Sequence, residues 1–160
     1  MHDVEGLIAR SETLADATGH FTNAVLCPLV QGLSLLPLTD ALASELVAYR
    51  PDVQAALTQP LSYLAAGAHA LAIEISRRAP VAYIATAYFG GNGKQDALAW
   101  ERGILRFSPT TPDYDRPWPH TPISQALRTI GVVADEGLDE FDTVGLGRHR
   151  ETHRWAASVK

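Results

Sequence analysis

The chain has 160 residues, of which 46% are hydrophobic and 19% are charged, and its formal net charge is −5. This length and composition predict one folded domain with a hydrophobic core and exclude an intrinsically disordered chain. The negative charge disfavours nucleic acid as a general partner, because phosphate binding needs clustered Lys and Arg; it is compatible with a basic protein partner. No apolar run reaches about 18 residues, so no membrane span is expected.

Two features of the sequence predict a cytoplasmic location. The chain begins MHDVEGLIAR, with acidic residues where a signal peptide would carry a basic region before an apolar run. Cys27 is the only cysteine, so an internal disulfide is excluded and a reducing compartment is favoured. Because Cys27 lies in an apolar stretch, we expect it to act as a small buried hydrophobe.

The first predicted elements are a strand and a helix. Residues 24–38 are apolar on both alternating faces and contain Pro and Gly, which favours one buried strand with a bulge near Gly32. Thr39 or Asp40 can cap the helix that follows, and Pro51 ends it.

The second predicted helix has the strongest periodic pattern in the chain. Pro60 suits its first turn, and Arg77 and Arg78 are expected in its last turn, where positive charge meets the negative end of the helix dipole. Its apolar residues recur at spacings of three and four: Leu61, Leu64, Ala68, Leu71 and Ile75.

A β-hairpin is predicted at about residues 81–107. Residues 81–89 are apolar on both faces, which indicates a central strand, and residues 96–107 follow as its partner with Gly103 as a bulge. Asn92 and Gly93 predict a type I′ turn, because both central residues of that turn need positive φ.

The same turn superficially resembles a phosphate-binding loop, because it contains Gly90, Gly91, Gly93 and Lys94. A P-loop requires Ser or Thr after the lysine and a helix after the loop, whereas Gln95 and a strand-like pattern follow here. A nucleotide loop is therefore excluded, and no cofactor is expected.

The remaining chain is predicted as a loop, a helix and a mixed tail. Residues 108–120 hold four prolines and indicate an irregular surface loop. Thr121 caps a helix that has Pro122 at its first position and ends at Gly131, and another helix is expected from about residue 149. The whole of residues 1–160 thus forms a single α+β domain, with an antiparallel sheet around the central hairpin packed against two to four helices.

Two groups of polar residues in the tail are candidates for a metal site. His149 and His153 are spaced by one helical turn, but the residues between them do not meet the zincin motif and two arginines adjoin His149. The acidic segment from Asp135 to Asp142 lacks the spacing of an EF-hand, so we expect its acids to form salt bridges with the basic RHR sequence that follows. Neither group predicts a metal site.

Parts of the second half of the chain resemble an uncharacterised family of small bacterial proteins. These proteins share a Phe-Gly-Gly-x-Gly-x-Gln turn between two strands, which here is Phe89, Gly90, Gly91, Gly93 and Gln95. The segments PISQALRTIGV and LDEFDTVGLGRHRETHRW are also similar. The resemblance implies no activity and carries over no catalytic residue.

The absence of a complete catalytic motif favours a non-enzymatic binding protein, and the more specific hypothesis is an immunity-type inhibitor of a bacterial toxin. Rigid aromatic residues on a proline-stiffened loop suit a protein interface. The expected binding residues are Gly91, Asn92, Lys94, Tyr114, Trp118 and Arg148. The alternative is a small hydrolase or transferase whose site joins the 90–95 turn to the tail, through Gln95, Asp139, Asp142, Arg148 and His149. A homodimer formed by pairing of an exposed strand edge is a third hypothesis.

Overall fold

The computed structural model describes residues 2–49, 66–89, 92–109 and 121–159. These residues form an antiparallel sheet of six strands in the order β2-β3-β1-β4-β5-β6. The strands are β1 (Glu5–Arg10), β2 (Cys27–Pro28), β3 (Leu33–Pro37), β4 (Val81–Phe89), β5 (Asn92–Glu101) and β6 (Ile104–Phe107). The helices are α1 (Ser11–Thr18), α2 (Asp40–Tyr49), α3 (Ala66–Ser76), α4 (Pro122–Thr129), α5 (Glu140–Val144) and α6 (Thr152–Ala157), with a short 3₁₀ helix at Leu146–Arg148. The α+β class predicted from the sequence is confirmed.

Helices cover both faces of the sheet, which explains why the central strands are apolar on both sides. Leu7 and Tyr83 face a core that contains the buried side chains of α1, α2 and α3. Ile8 and Ile84, one position further along each strand, face a second core that is closed by α4, α5 and α6. The alternation of side chains along a strand thus divides one apolar run between two cores.

The strand predicted at residues 81–89 is confirmed, but the predicted position of the hairpin turn is wrong. Phe89 pairs with Asn92 and Tyr88 pairs with Gly93, so the Asn-Gly pair lies within β5. A Cβ atom on Gly93 would lie 1.6 Å from Cδ1 of Tyr88, which shows that the Tyr88 ring lies against the Gly93 backbone. Gly93 therefore allows a close approach within the sheet. Residues 90 and 91 lie outside the described residues.

The single strand predicted at residues 96–107 is in fact two strands joined by a tight turn. Arg102 and Gly103 both have positive φ, 55° and 77°, as a type I′ turn requires. Ser76 holds this turn against the end of α3, because its carbonyl accepts from the Arg102 N–H at 2.7 Å and its hydroxyl accepts from the Gly103 N–H at 3.0 Å. The predicted bulge at Gly103 is wrong; the β5–β6 register instead shifts between Ala99, which pairs with Phe107, and Trp100, which pairs with Leu105.

The prediction of one strand at residues 24–38 is also wrong. The segment contains β2 and β3, which are joined by a turn where Gln31 and Gly32 have φ of 64° and 74°. The prediction missed β1 and α1, although β1 pairs with both β3 and β4 and lies inside the sheet.

Helix boundaries agree well with the sequence where they are described. The hydroxyl of Thr39 accepts from the Leu42 N–H at 3.2 Å and so caps α2 as predicted. The α4 helix begins at Pro122 as predicted. Two boundaries need correction, because α3 ends at Ser76, before the two arginines, and α6 begins at residue 152 instead of about 149. Ala68, Leu71 and Ile75 are buried as predicted, whereas Leu61 and Leu64 lie outside the described residues.

Candidate functional site

Most of the expected binding residues fall outside the part of the chain that the structure describes. Gly91, Tyr114 and Trp118 belong to the ranges that are not described. Asn92 and Lys94 are described only by their backbones, which lie in β5 opposite Phe89 and Ala87. Their expected role in binding stays a prediction.

Arg148 is described and has a structural role. Its Nε donates to the Gly145 carbonyl at 3.2 Å, and its Nη2 donates to the Pro28 carbonyl. Its guanidinium carbon lies 5.0 Å from the centre of the Trp155 ring, a distance typical of a cation–π contact. Arg148 therefore connects the C-terminal segment to β2, although its side chain is exposed.

Gln95, the first residue of the alternative catalytic set, caps a helix. Its side chain is buried on β5, and its Oε1 accepts from the Ile123 N–H at 3.2 Å. Ile123 is the second residue of α4, so this bond satisfies one of the free N–H groups at the helix start. Thr121 precedes α4 but makes no side-chain capping bond, so Gln95 supplies the bond that Thr121 was predicted to make.

Asp139 and Asp142 lie together at the start of α5. Oδ1 of Asp139 accepts from the Asp142 N–H at 2.8 Å, which is an N-cap bond. Burial raises the pKa of the Asp142 carboxyl, and the nearby Asp139 carboxylate raises it further. The predicted salt bridges between this segment and the RHR sequence are not found among the described residues, where Glu140 pairs with Arg128 at 2.9 Å.

The two tail histidines make separate contacts. The His149 ring centre lies 4.8 Å from that of Trp155, in an edge-on arrangement, whereas Nε2 of His153 lies 3.0 Å from Oε2 of Glu151. Among the described residues, no hydrogen bond, ion pair or ring contact joins Gln95, Asp139 and His149, and no group of three His, Cys, Asp or Glu side chains is placed to hold a metal ion.

Cys27 is buried, as the sequence predicts, with 1% of its surface exposed. Its Sγ donates to the Trp155 carbonyl at 3.2 Å. Burial raises the pKa of the thiol to about 11, so the reactive thiolate form is not populated near neutral pH.

A recess of about 380 Å³ opens at the beginning of β1, and sequence reasoning did not identify it. Its lining consists of Asp3, Glu5, Leu38, Thr39, Asp40, Glu151, Thr152 and His153. Four of these eight residues are acidic, so the recess is a place where negative charge is concentrated around a concave surface.

Three chain segments build this recess and are joined by hydrogen bonds. The Asp3 N–H donates to the Arg150 carbonyl at 2.7 Å, and the Thr152 N–H donates to the Asp3 carbonyl at 3.0 Å. The Glu5 N–H donates to Oγ1 of Thr152 at 3.0 Å, and the Glu5 carbonyl accepts from the Leu38 N–H at 2.9 Å. These bonds hold the three segments that line the recess in fixed positions relative to one another.

Three of the four carboxyl groups that line the recess form no ion pair with a described residue. Oε2 of Glu5 accepts from the Tyr83 hydroxyl at 2.7 Å. Burial raises the pKa of Glu5, and the carboxylates of Asp3 and Asp40 raise it further. Glu151 has His153 and Arg154 as partners, but among the described residues Asp3, Glu5 and Asp40 form no ion pair. A cation that entered the recess would relieve this repulsion.

Comparison with known proteins does not extend this picture. No family model, curated protein or solved structure matches the chain. The resemblance to a family of small bacterial proteins therefore stays a prediction. In the described ranges, none of the helices has the length and apolar character needed to cross a membrane.

Proposed function

We propose that this protein is a non-enzymatic protein-binding module whose acidic recess receives a basic side chain of its partner. The observation that carries the proposal is the recess itself, where Asp3, Glu5 and Asp40 line one concavity without a basic partner among the described residues. Lys and Arg are the groups that complement such a surface, and complementary charge speeds the association of two proteins.

The dimensions of the recess favour a side chain as its occupant. A volume of about 380 Å³ is at the lower end of the range found for ligand pockets, so it can accommodate a guanidinium or ammonium group with its alkyl stem. Leu38 supplies apolar surface for the stem, and the Asp3 and Asp40 carboxylates supply hydrogen-bond acceptors for the head.

The more specific proposal is a cytoplasmic, immunity-type inhibitor of a bacterial toxin. Its support is the net charge of −5, together with a small α+β fold and a charged recess that suits a basic partner. Small acidic α+β chains of this kind are frequent among immunity proteins, so the assignment to this class is an analogy at the level of fold and charge.

The hydrolase or transferase hypothesis has less support. It requires Gln95, Asp139, Asp142 and His149 to meet in one cleft, because a catalytic group must lie within hydrogen-bonding distance of its substrate. Gln95 and Asp139 instead cap two different helices, and the His149 ring packs against Trp155.

The proposal is tested by capturing partners from the native host with the wild-type protein and with a triple variant, Asp3→Asn, Glu5→Gln and Asp40→Asn. We expect one stoichiometric basic partner whose affinity for the purified triple variant is at least about tenfold weaker. A matched control neutralises three acids outside the recess, by Glu12→Gln, Asp16→Asn and Glu101→Gln. Equal affinity of both variants for the partner, or the lack of any stoichiometric partner, would contradict the proposal. If the partner is a toxin, co-expression should restore growth of cells that produce it.

A further inference from the structure

Two surface loops carry exposed valines that one glutamine holds in place. Val30 is 51% exposed, and Val133 is 72% exposed. Nε2 of Gln31 donates to the Val133 carbonyl at 2.8 Å, and its Oε1 accepts from the Val133 N–H at 3.2 Å. This pair of bonds resembles one rung of a β-ladder, and it fixes the two loops relative to each other.

The backbone at Gln31 has an unusual conformation for a residue other than glycine. Gln31 has a φ of 64°, which is costly for a residue with a long side chain. The two bonds to Val133 offset that cost, and the Val30 N–H donates to the Val144 carbonyl at 3.4 Å. The valines are thus presented to solvent on a constrained backbone, and rigid groups lose little entropy when they bind a partner.

The loop that carries Val133 continues into an acidic segment. Asp135, Glu136 and Asp142 are exposed, and Leu138 is 42% exposed between them. Residues 131–142 contain no Lys or Arg, and Glu140 is the acid of this segment that the described ion pairs neutralise. A complementary partner would present an apolar side chain flanked by basic residues.

We propose that Val30, Val133 and Leu138, with the carboxylates of the 131–142 segment, form a second docking surface for a basic protein segment that carries an apolar side chain. This inference rests on the proposed function, because it assigns the same kind of partner to another part of the molecule. The β3 strand begins just after Gln31 and ends just before Leu38, so its length of about 17 Å separates this surface from the recess.

The test uses a peptide of defined sequence, acetyl-Lys-Lys-Leu-Lys-Lys-amide, titrated into the ¹⁵N-labelled protein. We expect chemical-shift changes at residues 30–31 and 133–142. Replacing the peptide leucine by serine should weaken binding about tenfold, because the apolar contact with the exposed valines is lost. The Val133→Ser variant should bind the leucine peptide about tenfold more weakly for the same reason. Val47→Ser is the matched control, since Val47 is a 63% exposed valine on α2, and it should leave the affinity unchanged.

Several results would overturn this inference. Equal binding of the leucine and serine peptides would exclude apolar docking, and equal affinity of Val133→Ser and Val47→Ser would place the peptide elsewhere. A concentration-dependent dimer that Val133→Ser abolishes would show that a second copy of the chain occupies the surface. If the triple recess variant alone loses the peptide, this inference fails while the proposed function stands. If Val133→Ser weakens peptide binding but cationic peptides cause no chemical-shift change at the recess residues, the proposed function alone fails.

Discussion

Glu140 shows how one buried charge is accommodated between two helices. Its side chain is 3% exposed, and both of its oxygens accept hydrogen bonds from Arg128 at distances of 2.9–3.1 Å. Arg128 lies on α4 and Glu140 opens α5, so the pair joins the two helices that cover the second core. Buried charges of this kind are costly to leave without a partner.

We therefore expect Glu140→Gln to lower the free energy of unfolding by about 1–3 kcal/mol, measured by urea denaturation. The control is Glu12→Gln, which removes the exposed pair with Arg10 and should leave the free energy of unfolding nearly unchanged. A double-mutant cycle with Arg128→Met isolates the interaction. Equal effects of the Glu140 and Glu12 variants would show that the buried pair has no special role.

His2 predicts how stability depends on pH. Its Nδ1 lies 2.7 Å from Oγ1 of Thr86, and this hydroxyl accepts from the Val4 N–H at 2.9 Å. Burial lowers the pKa of His2 below its usual value of 6.5, and the nearby Arg150 lowers it further. As the pH falls below about 6.5, the unfolded chain binds a proton that the folded chain resists, so the contribution of His2 to stability is lost.

His2→Asn should accordingly lose less stability than the wild type when the pH is lowered from about 7.5 to about 5.5. Urea denaturation at both values measures this difference. The variant must be compared with the wild type because two other groups also make stability depend on pH. Burial lowers the pKa of His69 and raises that of Glu5. An identical pH dependence in both proteins would show that His2 does not resist protonation.

At the scale of the elements, the sequence predicts the positions of α2, α4 and β4 better than it predicts turns. The bounds of β4 follow from a continuous apolar run between Pro80 and a glycine pair. The Asn92 and Gly93 pair misled the turn prediction, because packing of Tyr88 on Gly93 sets the register within the strand pair. Arg102 gives no local signal for positive φ, since Ser76 stabilises that turn from a distant helix.

The β5–β6 turn provides a direct test of this explanation. Arg102→Asn should raise the free energy of unfolding by about 0.5–1 kcal/mol, because Asn tolerates positive φ better than Arg. The variant keeps the backbone N–H that donates to the Ser76 carbonyl. Gly103→Ala is the matched change in the opposite direction and should lower it by about 1 kcal/mol. Thermal or urea denaturation measures both values. A destabilising Arg102→Asn change would show that the arginine side chain itself matters to the turn.

At the scale of the molecule, the α+β class was predicted from the sequence, but the recess was not. The α+β class follows from apolar runs of two different periods. The recess depends on bringing Glu5, Asp40 and Glu151 together, and these residues are far apart in sequence. Asp3 and Glu5 do alternate in the HDVEG sequence, which places both acids on one face of the chain, but this signal does not indicate what lies opposite.

The central claim is that the recess binds a positively charged side chain. Its most direct test is a ¹⁵N chemical-shift titration with acetyl-Gly-Arg-Gly-amide and with the same peptide carrying citrulline, a neutral analogue of arginine. We predict that the arginine peptide shifts the signals of residues 3–5, 38–40 and 151–153, that the citrulline peptide does not, and that the Asp3→Asn, Glu5→Gln, Asp40→Asn variant abolishes the effect. Equal shifts from both peptides, or no shift at these residues, would contradict the claim.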